Sequence, residues 1–149
     1  MNCFIVPRQP KSYNTWKKNS AKGQNYLSDI HDSFKKIYEE HQLLTGDLYG
    51  SIYYFFKKDL HNDADNMSKP VWDCLINFLY DDDKQVKLRI AGSFDLGKND
   101  FNELDFSSMP GKVIGEFLEA YDNHDHFLYI ECGTLKSSFF KFSIEGNGN

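Results

Sequence analysis

The chain has 149 residues, 40% hydrophobic and 16% aromatic, with a net charge of −5. One domain with a continuous core is the expectation at that length, and the aromatic content excludes a disordered tail. No apolar run approaches the ~20 residues of a membrane span, and residues 1–10 lack the charged start and long apolar stretch of a signal peptide, so no membrane association and a cytoplasmic location are expected.

Phe4-Ile5-Val6 reads as a short strand stopped by Pro7 and Pro10, because proline cannot donate to a ladder. Residues 11–24 are polar and basic and read as a loop able to order on a ligand. From Asn25 to Leu44, Leu27, Ile30, Phe34, Ile37 and Leu44 recur at helical spacing, with Thr45-Gly46 closing the helix. Residues 47–58 are rich in Tyr, Phe and Ile on both faces, the pattern of a central strand. A second helix is expected from about Met67 to about Leu79, with Pro70 in its first turn or two. Residues 86–94 then form a half-buried strand, Val86, Leu88 and Ile90 inward against Lys87, Arg89 and Ala91.

Residues 95–109 are polar and turn-rich, residues 110–121 have helical spacing, and residues 122–125 break it. Residues 127–132 and 138–144 are expected to pair as a hairpin through Gly133-Thr134, and residues 147–149 to fray. The fold class is thus α+β, in a single domain.

Cys3, Cys74 and Cys132 are widely spaced and suggest neither a disulfide framework nor a zinc ribbon; Cys74 reads as a buried thiol. His124 and His126 read as a loop-to-strand pair with solvent roles in preference to a metal site, and His61 as an exposed loop residue.

The chemistry concentrates between Lys57 and Val86. Asp63 and Asp65 stand at the mouth of the second helix, where one aspartate would suffice as a cap. At about 100° per residue, Asp65, Lys69 and Asp73 share one face, while Met67, Val71, Cys74, Leu75 and Phe78 share the opposite arc. Alone, that row could be a surface ion-pair ladder worth about 0.2–0.5 kcal/mol per pair. A second acidic cluster, Asp81-Asp82-Asp83, follows the helix. If the returning chain brings Asp83 near Asp63 and Asp65, each like-charge pair at ~4 Å and an effective dielectric of ~20 costs about 4 kcal/mol. Three such pairs rival the ~5–15 kcal/mol stability of a domain, so convergence would call for protonation or a hard divalent cation.

The pattern Asp63-x-Asp65-Asn66-x-x-Lys69-Pro70-x-x-Asp73-x-Leu75, followed by Asp82-Asp83-x-Gln85-Val86, resembles the RusA-like endodeoxyribonucleases that resolve four-way DNA junctions. Upstream, Phe4-Ile5-Val6-Pro7 and Pro10-Lys11-Ser12-x-Asn14 look like the family's first strand and turn. The clear match covers residues 47–94, with a weaker one over the first 45 or so. The resemblance implies a single α+β domain with a mixed β-sheet packed with helices, its core at residues 1–94, elaborated by an extra C-terminal helix and β-hairpin over 95–149. The resemblance implies metal-binding carboxylates at Asp63, Asp65 and Asp83, a catalytic lysine at Lys69, Mg²⁺ as cofactor with Mn²⁺ as a substitute, and a homodimer acting on Holliday junctions. Asn66 and Asp73 would support the ligands without holding an ion themselves. Asp81 and Asp82 read as loop charge, with Asp82 a minor alternative ligand.

A DNA-binding role sits awkwardly with the net negative charge, but basic residues outnumber acidic ones over the first 58 positions. Lys11, Lys17, Lys18 and Lys22, interleaved with Tyr13 and Trp16, are the candidates for contacting the DNA backbone, against the alternative of a solvated loop. Two other functions compete with the resolvase: a RusA-like module that binds branched DNA or a protein partner without cutting, and a metal-dependent nuclease acting on flaps or duplex DNA.

Overall fold

The apolar run Leu48–Phe56, buried on both faces over most of its length, forms the strand β2 on which the sheet is assembled. The computed structural model describes residues 1–58, 63–98, 104–136 and 138. In chain order these residues form β1 (Asn2–Val6), α1 (Ala21–Ile37), β2, α2 (Ala64–Leu75), a 3-10 turn (Asp83–Gln85), β3 (Val86–Asp95), α3 (Gly111–Asn123) and β4 (His126–Thr134). The sheet order is β1-β4-β2-β3. β3 runs parallel to β2, whereas β4 is antiparallel to both β2 and β1, so the architecture is α+β with a mixed sheet, as the sequence implied.

Two apolar layers flank the sheet. On one face Phe4 and Val6 of β1 and Leu48, Ile52 and Tyr54 of β2 pack with Tyr26, Ile30 and Phe34 of α1 and with Met67, Val71, Trp72 and Leu75 of α2. On the other, Ile5, Phe55, Phe127 and Tyr129 pack with Val113, Phe117 and Ala120 of α3. Each such fully buried large side chain contributes about 1.5–3 kcal/mol. The seat of α2 is set by Gly50, where a Cβ would lie 2.6 Å from the Trp72 ring; only a glycine lets the indole rest on β2.

Helix boundaries depart from the apolar period. α1 begins at Ala21, inside the expected loop, because Ser20 caps it by accepting from the Gly23 N–H at 3.0 Å. It ends at Ile37, not at Thr45-Gly46, because the next residues are claimed by other elements. The Tyr38 hydroxyl donates to the Cys3 carbonyl at 3.1 Å and accepts from the Cys3 N–H at 3.0 Å. His41 Nε2 lies 2.8 Å from the Phe78 carbonyl, and the Leu44 N–H donates to Leu79 at 2.7 Å.

α2 likewise starts before Met67, at Ala64, and stops at Leu75. Leu79 and Tyr80 remain buried, but the backbone turns at Asn77 (φ 58°), and Tyr80 secures the turn by donating its hydroxyl to the Trp72 carbonyl at 2.7 Å.

Three further expectations are corrected. Ile90 points outward at 39% exposure, because β3 is at the sheet's edge among the described residues and has a register shift near its start. α3 continues to Asn123. The C-terminal hairpin does not form through Gly133-Thr134, since both belong to β4, which is interior to the sheet. Ser138 is not in a strand, and the rest of the expected last strand, the frayed residues 147–149 and His61 lie outside the described residues.

Candidate active site

α2 opens with a helix cap that also organises its surroundings. The Asp63 carboxylate accepts from the Asn66 N–H at 2.8 Å and from its side-chain amide at 3.2 Å. Asp65 sits in the first turn, where the exposed N–H groups favour a negative charge. Pro70 is in the second turn and has no N–H to give to Asn66, four residues earlier. That carbonyl instead accepts from the Tyr13 N–H at 2.8 Å. The proline therefore creates the acceptor that moors the basic N-terminal loop to the acidic helix start.

One turn further on, Lys69 is shared between two carboxylates. Its Nζ lies 2.5 Å from Asp73 Oδ1 and 3.2 Å from Asp83 Oδ2. Arg89 approaches the same Asp83 Oδ2 at 3.2 Å, so Asp73, Lys69, Asp83 and Arg89 form a chain of alternating charge. Partial burial pulls the Lys69 ammonium down, but the hydrogen bonds and charges of Asp73 and Asp83 outweigh it and leave its pKa raised. For Asp83, partial burial pushes upward, and the hydrogen bonds and charges of Lys69 and Arg89 overcome it, so the carboxyl is held below its ordinary value.

Asp83 is presented by the 3-10 turn. Asp82 caps that turn by accepting from the Lys84 N–H at 2.9 Å, and Gln85 Oε1 returns the contact by accepting from the Asp82 N–H at 3.1 Å. The Gln85 amide also donates to the carbonyls of Leu44 and Gly46, both at 3.3 Å, tying the turn to the entry of β2.

The expected residues thus fall into two joined groups. Asp63 and Asn66 bond to each other at the helix mouth, Lys69 unites Asp73 with Asp83, and Asp65 lies between them on α2, four residues before Lys69. Among the described residues, no three His, Cys, Asp or Glu side chains are gathered closely enough to hold an ion. The side chains of Asp63, Asp65 and Asp83 offer carboxylate oxygens, the donor chemistry that suits a hard divalent cation, and the Lys69 ammonium joins Asp83 to Asp73. Sequence reasoning placed Arg89 on the outward face of a strand and missed its contact with Asp83. The available signal was an arginine on the polar face of the strand that directly follows the acidic turn.

Lys11, Lys17 and Lys22 line one cavity of about 250 Å³ with Thr15, Trp16, Ser20 and Gly23. Its shape depends on Gly23, where a Cβ would lie 1.9 Å from the Lys17 carbonyl oxygen. Lys18 is not part of the lining; its carbonyl accepts from the Gln24 amide at 2.6 Å. His126 Nδ1 is 2.8 Å from the Tyr54 hydroxyl, while His124 approaches Glu119 at 3.7 Å, so each ring has its own neighbour. All three cysteines are free and buried. No helix among the described residues is long and apolar enough to cross a membrane.

A comparison with curated proteins finds no match. The sequence model of one family, Endodeoxyribonuclease RusA, matches residues 3–99, a span that takes in most of β1 and all of α1, β2, α2, the acidic turn and β3. With well over half its length matched, and with the carboxylates and Lys69 inside the matched span, the chain belongs to the RusA endodeoxyribonuclease family.

Proposed function

We propose that the protein is a Mg²⁺-dependent endonuclease that resolves Holliday junctions by phosphodiester hydrolysis. Asp63, Asp65 and Asp83 would hold the ion, which would supply charge stabilisation at the scissile phosphate and a more acidic water. Asn66 keeps Asp63 oriented through its two donated hydrogen bonds. Asp73 holds the Lys69 ammonium on the acidic face, where it can offset charge on a phosphate oxygen or orient the attacking water. The loop moored at Asn66 brings Lys11, Lys17 and Lys22 alongside to neutralise the flanking backbone. A homodimer would set two such sites on the two symmetric strands of one junction.

The observation that carries this reading is Lys69, 39% exposed and bridging Asp73 to Asp83 one turn from Asp65. It supports the reading by keeping a cation able to meet a phosphate on the acidic face of α2. A second reading, a module that binds branched DNA without cutting, is favoured by the double occupation of Asp83 Oδ2 by Lys69 and Arg89.

The test is to incubate the purified protein with a mobile four-way junction, a flap and a duplex, each in Mg²⁺, Mn²⁺ or EDTA. Cutting of the junction that disappears in EDTA and in Asp65→Asn is the expected result. Tight junction binding with no product in any metal would establish the binding module instead, and preferential cutting of flaps or duplex would replace the junction as substrate.

A further inference from the structure

Period two along β4 puts Phe127, Tyr129 and Glu131 on one face of the sheet, the face that α3 covers. The first two are buried aromatic rings, so a half-buried carboxylate stands where the pattern calls for a third apolar side chain. Its neighbours hold it without neutralising it. Glu131 Oε1 accepts from the Tyr49 hydroxyl at 2.5 Å, and Oε2 accepts from the Tyr129 hydroxyl. Burial, and after it the hydrogen bond to Glu131, raises the pKa of both tyrosines, so they remain neutral donors. Among the described residues no cation pairs with Glu131. A carboxylate offers about four acceptor sites, so part of its capacity and its whole charge remain to be met.

Beside Glu131 a cavity of about 240 Å³ opens on the same face, and Asp105 adds a second carboxylate at its exposed rim. Tyr53, Phe55, Phe106, Phe117 and Tyr129 wall it. Tyr53 lies nearly parallel to Tyr129 with centroids 5.8 Å apart, and Phe106 meets Phe117 edge-on at 5.2 Å. Aromatic faces carry the negative part of the ring quadrupole, so walls and carboxylates attract the same sign of ligand. That sign is positive. The acids would repel a nucleotide's phosphate, and α2 with its acidic row packs on the opposite face of the sheet, so the cavity is separate from the candidate active site. Apart from Tyr53 and Phe55, all its lining residues lie beyond residues 3–99, the span that the family model matches.

The volume is below the ~300–1,000 Å³ usual for small-molecule ligands, which suits one side-chain head. Among cations a guanidinium fits best, because it is planar, weakly hydrated, stacks on aromatic rings and donates to a carboxylate through a fork of N–H groups. The chain's own arginines, Arg8 and Arg89, are bonded to Asp29 and Asp83, so a second copy has none to offer. We propose that this cavity receives the guanidinium of an arginine presented by a different protein, stacked on the aromatic walls and paired with Glu131. Asp105 adds to the pull on a basic partner segment.

The experiment titrates the full chain with acetyl-Gly-Arg-Gly-amide, followed by amide NMR, against the same peptide carrying lysine or citrulline. Citrulline has the shape of arginine without its charge. Saturable shifts at Tyr53, Phe106 and Glu131 are expected in millimolar arginine peptide, weakening with salt as the Debye length falls from ~10 Å at ~0.1 M to ~3 Å at ~1 M. The citrulline peptide, and the arginine peptide with Glu131→Gln, should each bind at least about tenfold more weakly, the loss of one charge-assisted pair. Phe106→Ala should cost about two- to fivefold through the missing ring. The lysine peptide should fall between arginine and citrulline.

No saturable shift at these residues, or citrulline or lysine binding as well as arginine, overturns the proposal. So does a dimer, seen by sedimentation, that Glu131→Gln dissolves, since the cavity would then belong to a second copy. Should Glu131→Gln fail to fold, wild-type affinity in Phe106→Ala overturns it equally. None of these outcomes involves cleavage, so the nuclease reading stands or falls separately.

Discussion

The two turns that carry acidic pairs are built alike and used differently. At the start of α2, Asp63 caps the backbone and Asp65 follows; at the 3-10 turn, Asp82 caps and Asp83 follows. In each pair the first carboxylate holds the turn, so the second is not needed as a cap. The second members then diverge. Asp83 is gripped by Lys69 and Arg89, whereas Asp65 has no ion pair among the described residues. The lesson is that acidic density in this chain has two causes, turn formation and chemistry, and that the partner of each carboxylate tells them apart.

Substitutions can break that comparison. The largest effect is expected for Asp65→Asn and Asp83→Asn, each cutting single-turnover junction cleavage by at least about a hundredfold, the upper end of what a supporting partner alone would cost. Asp63→Asn is the sharper probe, because asparagine caps a helix as well as aspartate does. Thermal melting should therefore stay unchanged, while cleavage falls by about tenfold if the carboxylate also serves as a ligand.

Pro70→Ala restores an N–H that competes with Tyr13 for the Asn66 carbonyl. Loss of one hydrogen bond, about 0.5–1.5 kcal/mol, predicts a roughly 3–10-fold weaker junction affinity in EDTA with no loss of melting temperature. Asp82→Ala should cost about 1 kcal/mol of stability in denaturant titration and leave cleavage within about twofold, marking it as a cap and not a ligand.

The smallest effect concerns pH. Asp83 has a lowered folded pKa, so its contribution to stability is full above the ordinary carboxylate range near pH ~4 and is lost as pH falls through the folded value. Lys69 has a raised folded pKa, so its contribution holds up to about pH 10 and is lost only as pH rises through the higher folded value. Acid unfolding of Asp83→Asn, followed by circular dichroism, should show a shallower dependence than wild type below about pH 4.

What the sequence made legible was the α+β class and the division of α2 into a buried arc, with Met67, Val71, Cys74 and Leu75 all inside, and a polar row of Asp65, Lys69 and Asp73. Periodicity reports which side of an element is apolar, and that survives in α2 though not at Ile90 of β3. It does not report where the backbone stops being helical. α1 ends because Tyr38 bonds to β1 and His41 to the turn after α2, contacts across tens of residues that no local pattern encodes. The same holds for β4, legible as a strand but not in its neighbours, and for Arg89, whose partner Asp83 lies in the turn before its own strand.

The placement of β4 has a bearing on how the chain acquires its shape. Among the described residues β1 joins the sheet through β4 alone, with Asn2 opposite Cys132 and Val6 opposite Leu128. More than a hundred residues separate the two strands, so β1 must wait for β4 before it can pair, and closing so long a span lowers the folding rate. Until that last strand slides into the gap, the apolar side chains of Phe4, Ile5 and Val6 lack their final shelter, and nascent copies are at their most vulnerable to sticking to one another.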